Sequence, residues 1–235
     1  MHLCMNLGKE LKPNKMNRKF KLLLTILYLH NTVVTAQVQV SEEPRHKNVL
    51  ENKYIRLLDV WMQPGDTSML HIHSTPSLFL HFTNTAVCVQ IKGKTWTKNK
   101  NTAGNASYTS FVNDTLIHRV SNCDTVPFHV TDIEILSAYK PATPLKPLPF
   151  TVLFDSEKAI AYRLSGTTFN NQLITGRGPM IAELVTGDEV ICYDTQHKKS
   201  TAIKTGKYLY LEPGSSFYFS AQKNEKNNLV LFEIK

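Results

Sequence analysis

The stretch Pro64-Gly-Asp-Thr-Ser-Met-Leu-His-Ile-His73 places two histidines, His71 and His73, two residues apart. On a β-strand, residues i and i+2 point to the same face, so both imidazoles can reach one ion. A third histidine follows in His118-Arg-Val-Ser-Asn122. If sheet pairing brings its ring alongside, the three imidazoles form one face of a metal site and leave other positions open to water or substrate. The sequence therefore predicts a metal site.

The chain on both sides of this stretch has the pattern of β-strands. Short runs of β-branched and aromatic residues alternate with turns that contain Gly, Asn and Asp, for example at 53–62, 128–136, 189–193 and 228–234. No segment after residue 36 shows a sustained 3.6-residue periodicity. We therefore predict an all-β protein.

The sequence also contains a weak internal repeat. A displacement of 103 residues (49 to 152) aligns several residues of one half with the other, namely Val49-Leu50 with Val152-Leu153, Pro76 with Pro179, and Val87 with Val190. In the same register His71 meets Ile174 and His73 meets Gly176. Between the halves, residues 139–149 are rich in proline, which predicts an extended, semi-rigid connector. We predict two copies of one strand plan, at 41–138 and 150–235.

These motifs resemble the cupin superfamily, whose first motif reads G(X)5HXH(X)3-4E(X)6G and whose second reads G(X)5PXG(X)2H(X)3N. The matching residues are Gly65, His71 and His73 in the first motif and His118 and Asn122 in the second. Ser77 stands at the glutamate position, and Phe217 stands where the later half would carry the motif histidine. The resemblance implies a bicupin, which is a pair of jelly-roll β-barrels, in which only the N-terminal barrel is metal-competent.

The resemblance further implies one divalent transition metal (iron, zinc, manganese or nickel) held by His71, His73 and His118. Ser77 and His81 are the candidates for shaping the pocket beside it. Three-histidine sites without the glutamate are similar to those of thiol dioxygenases and some ring- or diketone-cleaving dioxygenases. This implies a mononuclear oxygenase that acts on a small organic substrate. Two alternatives stay open: a non-catalytic module that binds a sugar or organic acid, and a metal-dependent isomerase or lyase.

Several further polar residues are candidates for supporting roles. Asp59, Asp132 and Glu134 are carboxylates that could orient a ligand imidazole. His81 lies four strand residues beyond Ser77, about 13 Å, so we expect it to line the barrel rather than replace the glutamate. His129 is predicted to be a wall histidine with satisfied hydrogen bonds. The large residues nearby, Trp61, Phe79 and Phe82, are predicted to belong to the core.

Residues 1–36 have the order of a secretory signal peptide. A basic start at 16–21 precedes an apolar run at 22–29 and a small-residue site at Val34-Thr-Ala36. Met16 is then the true start and cleavage falls near Ala36; a buried N-terminal helix is the alternative. The apolar run is too short for a permanent membrane anchor. We expect an exported protein, either periplasmic or extracellular.

Charge and composition limit the partners. Residues 1–36 carry six basic residues and one acidic residue, so +5 of the formal +8 belongs to them and +3 to the rest. No basic stripe with interleaved aromatic residues is present, which gives nucleic-acid binding little support. We expect a small-molecule ligand, and a homodimer is plausible because exposed sheet edges can pair with a second copy.

Three cysteines follow residue 36: Cys88, Cys123 and Cys192. An odd number excludes complete pairing within the chain. Cys88 and Cys192 lie in apolar runs, so we predict small buried side chains rather than disulfide partners. Cys123 has no base beside it in the sequence and is not predicted to be a nucleophile.

Overall fold

A computed structural model describes residues 37–141, 146–221 and 226–235. Nineteen β-strands and one short 3-10 helix, Val40–Glu42, make up the regular structure of these residues, which confirms the all-β prediction. The described part contains no helix long and apolar enough to cross a bilayer. The predicted signal peptide lies outside the described residues, as do residues 142–145 of the proline-rich connector.

The first half of the described chain forms two five-stranded sheets. Its strands are β1 (Val38–Gln39), β2 (His46–Glu51), β3 (Ile55–Met62), β4 (His71–His73), β5 (Ser77–His81), β6 (Thr85–Ile91), β7 (Thr97–Asn101), β8 (Ala106–Thr109), β9 (Leu116–Asn122) and β10 (Phe128–Ile135). One sheet has the order β1-β4-β9-β6-β7 and the other β2-β3-β10-β5-β8. All neighbours are antiparallel except β1 and β4, which are parallel.

The second half forms two more sheets. Its strands are β11 (Thr151–Asp155), β12 (Ala159–Ser165), β13 (Ile174–Thr175), β14 (Met180–Thr186), β15 (Glu189–Asp194), β16 (Lys199–Lys204), β17 (Tyr208–Leu211), β18 (Ser216–Ala221) and β19 (Asn228–Ile234). Their orders are β11-β12-β19-β14-β17 and β13-β18-β15-β16. These repeat the orders β2-β3-β10-β5-β8 and β4-β9-β6-β7, so the second half has the strand plan of the first.

The strand registers show what became of the metal-site positions in the second half. His71 pairs with His118 in the first half, and Ile174 pairs with Phe217 in the second. Phe217 therefore stands at the position of His118, as the motif comparison indicated. Ile174, Met180 and Phe217 are buried in one hydrophobic cluster. Apolar side chains thus fill the interior of the second half at these positions. They pack in the hydrophobic core and offer no metal ligand.

The two halves share a hydrophobic core, which explains why β10 is buried along its whole length. Alternate residues of a strand face opposite sides. Val130 and Asp132 line a cavity inside the first half, whereas Ile133 packs in a cluster with Ile181 and Phe232 of the second half. Trp61 contradicts the prediction of a core position, because it is 43% exposed and lies stacked on the buried ring of His129.

A buried carboxyl group lies at this junction between the halves. The hydroxyl of Thr131 donates to Oε2 of Glu183 at 3.0 Å, and the Glu183 side chain is fully buried. Burial raises the pKa of Glu183 to about 8; the Thr131 hydroxyl opposes the rise and the charge of Asp59 adds to it. The folded protein therefore binds a proton here that the unfolded chain releases above about pH 4.5.

Replacing Glu183 with glutamine should stabilise the protein at alkaline pH. Because the folded-state pKa is raised, stability from this group is complete below pH 4.5 and falls as pH rises towards 8. Glu183→Gln keeps an acceptor for Thr131 and does not titrate, so its free energy of unfolding should exceed that of the wild type by at least about 1 kcal/mol at pH 8 and match it near pH 4. Urea unfolding at both pH values measures the difference, with Glu42→Gln, an exposed position, as the control. An equal gap at pH 4 and pH 8 would contradict the raised pKa.

The structure contradicts the prediction that Cys88 is unpaired. Cys88 of β6 and Cys123, just after β9, form a disulfide with their Cα atoms 5.8 Å apart, whereas Cys88 was predicted to be unpaired. The apolar neighbours Val87 and Val89 point into the first half, so Cys88 itself points to the outer face of the sheet. Pairing of β6 with β9 then brings it to Cys123. Cys192 is buried and free, as predicted.

Candidate metal centre

Two adjacent strands bring the three predicted histidines together. His71 and His73 point inward from β4 with Ile72 between them on the opposite face, and His118 of β9 pairs directly with His71. One nitrogen from each ring lies within 4.8 Å of the other two. His71 and His73 are buried, and His118 is partly buried. We call these three residues the histidine group.

The nitrogen positions of the histidine group fit a metal ion. Nε2 of His73 and Nε2 of His118 are 3.0 Å apart. Two nitrogens that bind one ion at about 2.1 Å and at right angles are separated by about 3 Å. Nδ1 of His71 donates to the carbonyl of Met69 at 2.9 Å, and its buried Nε2 has no hydrogen-bond partner among the described residues. Imidazole nitrogens suit zinc, iron, nickel and copper, so the donor set accepts a divalent transition metal without selecting one.

Burial keeps the histidine group neutral. Burial, together with the smaller effect of neighbouring histidines, lowers the pKa of His71 to about 4, that of His73 to about 2 and that of His118 to about 3. A protonated imidazole has no lone pair for a metal, and a neutral one does. At neutral pH, protons therefore compete only weakly for the group.

One of the three candidate carboxylates lies beside the histidine group. Oδ2 of Asp132 is 3.4 Å from Nδ1 of His73, and both side chains are buried. Burial, with the charge of Glu134 adding, raises the pKa of Asp132 to about 8, while Ser77 opposes the rise. Asp59 instead bonds the ring of His129 at 2.8 Å, which satisfies that wall histidine as predicted. Glu134 accepts from Arg56 at 2.8 Å.

Asp132→Asn should weaken metal binding by about tenfold. A metal on Nε2 of His73 leaves the ring proton on Nδ1, where the neighbouring Asp132 carboxyl can accept a hydrogen bond and fix the ring. Loss of such support typically lowers affinity about 10- to 100-fold. Competition of the protein with a chromogenic chelator for Zn²⁺ measures the change. Asp59→Asn is the matched control, because Asp59 bonds His129 and no member of the histidine group. Equal zinc affinities for the two variants would contradict an orienting role for Asp132.

A second ionisable pair borders the group, and the sequence did not reveal it. The ring of His46 packs edge-on against His71 at 4.7 Å between centroids, and its Nδ1 lies 2.7 Å from Oε2 of Glu43. Burial would raise the pKa of Glu43, but bonds from His46 and from the backbone amides of Met69 and Arg45 lower it to about 2. A buried negative charge thus lies behind His46. Neither residue belongs to a motif, and only the folded chain brings the pair to this position.

Phe111 covers the histidine group from the loop between β8 and β9. Its ring stacks on His73 at 5.1 Å between centroids and meets Phe79 edge-on at 6.2 Å. Phe111 has a φ of 54°, a conformation that bulky residues adopt at an energetic cost of about 1 kcal/mol or more. No sequence signal identified it, because a single aromatic residue in a loop has many possible roles. Its ring shields one side of His73 from water.

The histidine group forms one end of a cavity of about 180 Å³ inside the first half. The walls are apolar and come from both sheets, with Val60, Met62, Phe79, Val87, Val89, Val120, Phe128 and Val130 among them. His81 lines this cavity, as expected, and Phe79 is a wall residue rather than a fully buried core residue. Ser77 does not reach the lining: it is buried, and its hydroxyl donates to the carbonyl of Thr75 at 3.1 Å.

Comparison with known proteins identifies the fold. No protein-family model matches the sequence. No curated protein matches it either. Among solved structures, a cupin 2 conserved barrel domain protein from Leptotrichia buccalis is similar over 79% of this chain and 86% of its own, at 13% identity and a TM-score of 0.51. The protein Ylba from E. coli matches over 82% of this chain and 85% of its own, at 10% identity and a TM-score of 0.57.

A salicylate 1,2-dioxygenase from Pseudaminobacter salicylatoxidans also matches, over 77% of this chain and 71% of its own, at 12% identity and a TM-score of 0.52. At such identities the likeness concerns the fold alone. The protein has the cupin fold, with a three-histidine group that can hold a metal ion in its first half.

Proposed function

We propose that this protein binds one divalent transition metal through His71, His73 and His118 and acts as a mononuclear oxygenase on a small organic substrate. The observation that carries the proposal is the convergence of three imidazole nitrogens within 4.8 Å at the end of an apolar cavity. A single apolar cavity with a few converging polar groups is the usual form of a small-molecule site. The similar fold of a salicylate 1,2-dioxygenase supports the proposal of an oxygenase that acts on a small organic substrate.

The surrounding residues prepare the site for such chemistry. A metal bound here would supply Lewis-acid or redox activation to a substrate held at its open positions. The carbonyl of Met69 holds His71 with Nε2 pointing to the group, and the carboxyl group of Asp132 lies 3.4 Å from Nδ1 of His73. Phe111 and Phe79 exclude water from the side of His73. Exclusion of water strengthens electrostatic interactions within the cavity.

We also propose that the protein is exported. The order of residues in 1–36 indicates a signal peptide with cleavage near Ala36. The disulfide between Cys88 and Cys123 supports the same location, because disulfides persist in oxidising compartments and are rare in a reducing cytoplasm.

A non-catalytic function is the second candidate, and one observation favours it. Within the described residues no carboxylate joins the histidine group, so its three ligands are all neutral. An anionic ligand, such as an organic acid, would then supply the missing negative charge and could be held without turnover. The cavity and the histidine group would serve as a binding site in this case.

Oxygen uptake by the metal-loaded protein distinguishes the two functions. Protein reconstituted anaerobically with ferrous iron should consume oxygen with at least one member of a panel of thiols, diketones, catechols and salicylate. The His118→Ala variant should consume none, and His197→Ala, which changes an exposed histidine of the second half, should behave as the wild type. Bound iron without turnover would favour the binding function. Failure to bind iron, zinc, manganese or nickel would remove both metal-dependent functions.

A further inference from the structure

The cavity has a second polar end, away from the histidine group. On β5, Phe79 lies near His73, and His81 lies two residues further along the same face, about 7 Å on. On β10, Asp132 contacts His73, whereas the ring of His81 packs near Phe128, four residues away, at 5.8 Å between centroids. His81 therefore marks the end of the cavity opposite the histidine group.

Two polar atoms at this end lack partners. Nδ1 of His81 and Nδ2 of Asn101 are buried, and neither has a hydrogen-bond partner within the residues that the structure describes. Both side chains line the cavity. The turn that follows β7 lies against His81, because the His81 carbonyl accepts from the amide of Gly104 and the His81 amide donates to the carbonyl of Asn105. Buried polar groups without partners are rare in folded proteins and call for a ligand or water.

The space between the two ends is apolar and small. Its walls are Val, Met and Phe side chains, and its volume is about 180 Å³. An apolar protein cavity of about 150 Å³ binds benzene. A single ring with short substituents therefore fits, whereas a sugar would leave most of its hydroxyl groups unpaired against apolar walls.

We propose that His81 and Asn101 form a hydrogen-bonding subsite, and that the ligand of this protein is a ring-sized apolar molecule with a polar group at each end. One polar group, an anion, meets the histidine group, and this part rests on the proposed metal-dependent function. The other is a hydroxyl, which can donate to Nδ1 of His81 and accept from Nδ2 of Asn101. Burial lowers the pKa of His81 to about 4, so its ring is neutral at pH 7 and can accept this hydrogen bond.

Calorimetric titration of the zinc-loaded protein with benzoate and 4-hydroxybenzoate tests the subsite. The two probes share the ring and the carboxylate and differ by one hydroxyl at the opposite end. The wild type should bind 4-hydroxybenzoate about 3- to 10-fold more tightly than benzoate, the usual gain from one buried hydrogen bond. His81→Leu and Asn101→Leu should lose this preference and keep their benzoate affinity. The control His197→Leu, at an exposed position, should keep the preference.

The outcomes separate the subsite from the metal function. Equal affinity of the wild type for both probes, no binding of either, or a preference retained in His81→Leu and Asn101→Leu would each overturn the proposed subsite. A variant that binds neither probe would also count against it, because the apolar walls and the metal end should still hold benzoate. Repeating the titrations on metal-free protein tests the other end: unchanged benzoate affinity would refute the role of the metal and leave the hydroxyl preference as a separate result.

Discussion

Replacing His71 with alanine should abolish stoichiometric metal binding. The Met69 carbonyl accepts from Nδ1 of His71, which leaves Nε2 of this fully buried ring for the metal beside His73 and His118. Without it, two imidazoles remain and no protein carboxylate of the described residues joins them. Loss of a residue that only orients a metal ligand lowers affinity about 10- to 100-fold. Loss of the ligand itself should have a larger effect, so we expect the affinity for Zn²⁺ to fall by more than about 100-fold. Elemental analysis after dialysis and chelator competition measure the loss.

The control for this experiment must separate lost ligation from lost folding. His71→Ala removes a buried side chain, so its free energy of unfolding should be measured on metal-free protein beside the wild type. His197→Ala removes an exposed histidine of the second half and should retain one equivalent of metal. One equivalent of zinc in folded His71→Ala, at wild-type affinity, would refute the site.

Removing the disulfide should cause the largest loss of stability. Cys88 and Cys123 are separated by 35 residues, and a crosslink that closes a loop of this length stabilises a protein by about 3–4 kcal/mol, chiefly by restricting the unfolded chain. The double variant Cys88→Ser/Cys123→Ser should therefore lose about this much free energy of unfolding. Urea unfolding under oxidising conditions measures it.

A reductant supplies the matched comparison for the disulfide. Dithiothreitol should lower the stability of the wild type to that of the double variant and leave the double variant unchanged. The one further cysteine among the described residues, Cys192, is buried and free, so it has no partner there for an alternative disulfide. Wild-type stability that is the same with and without reductant would contradict the predicted contribution.

Strand periodicity and motif spacing were sufficient to predict most of the fold. The alternation of apolar and polar residues indicated the strands, and the 103-residue displacement indicated that one strand plan occurs twice, which the repeated sheet orders bear out. The spacing of His71 and His73 placed both rings on one face. Local geometry decides such features, because a strand has a period of two wherever it lies.

Misassignments arose where a residue's role depends on a distant strand. Cys88 was taken for a buried, unpaired side chain, and only the pairing of β6 with β9 brings it to Cys123. Trp61 was assigned to the core, yet it lies on the outside of His129. In both cases the hydrophobic neighbours in the sequence correctly indicated a strand, but the residue itself points to the outer face of the sheet.

The sequence by itself determined the all-β class, the duplicated strand plan and the histidines that come together. Tertiary structure alone decided which of three carboxylates contacts His73. It alone brought His46 and Phe111 against the histidine group and Asn101 to the cavity. The physical reason is the range of the interactions. The sheet face to which a side chain points is set by the dihedral angles of its own strand. The residues that it contacts across the barrel depend instead on the pairing of segments far apart in the chain.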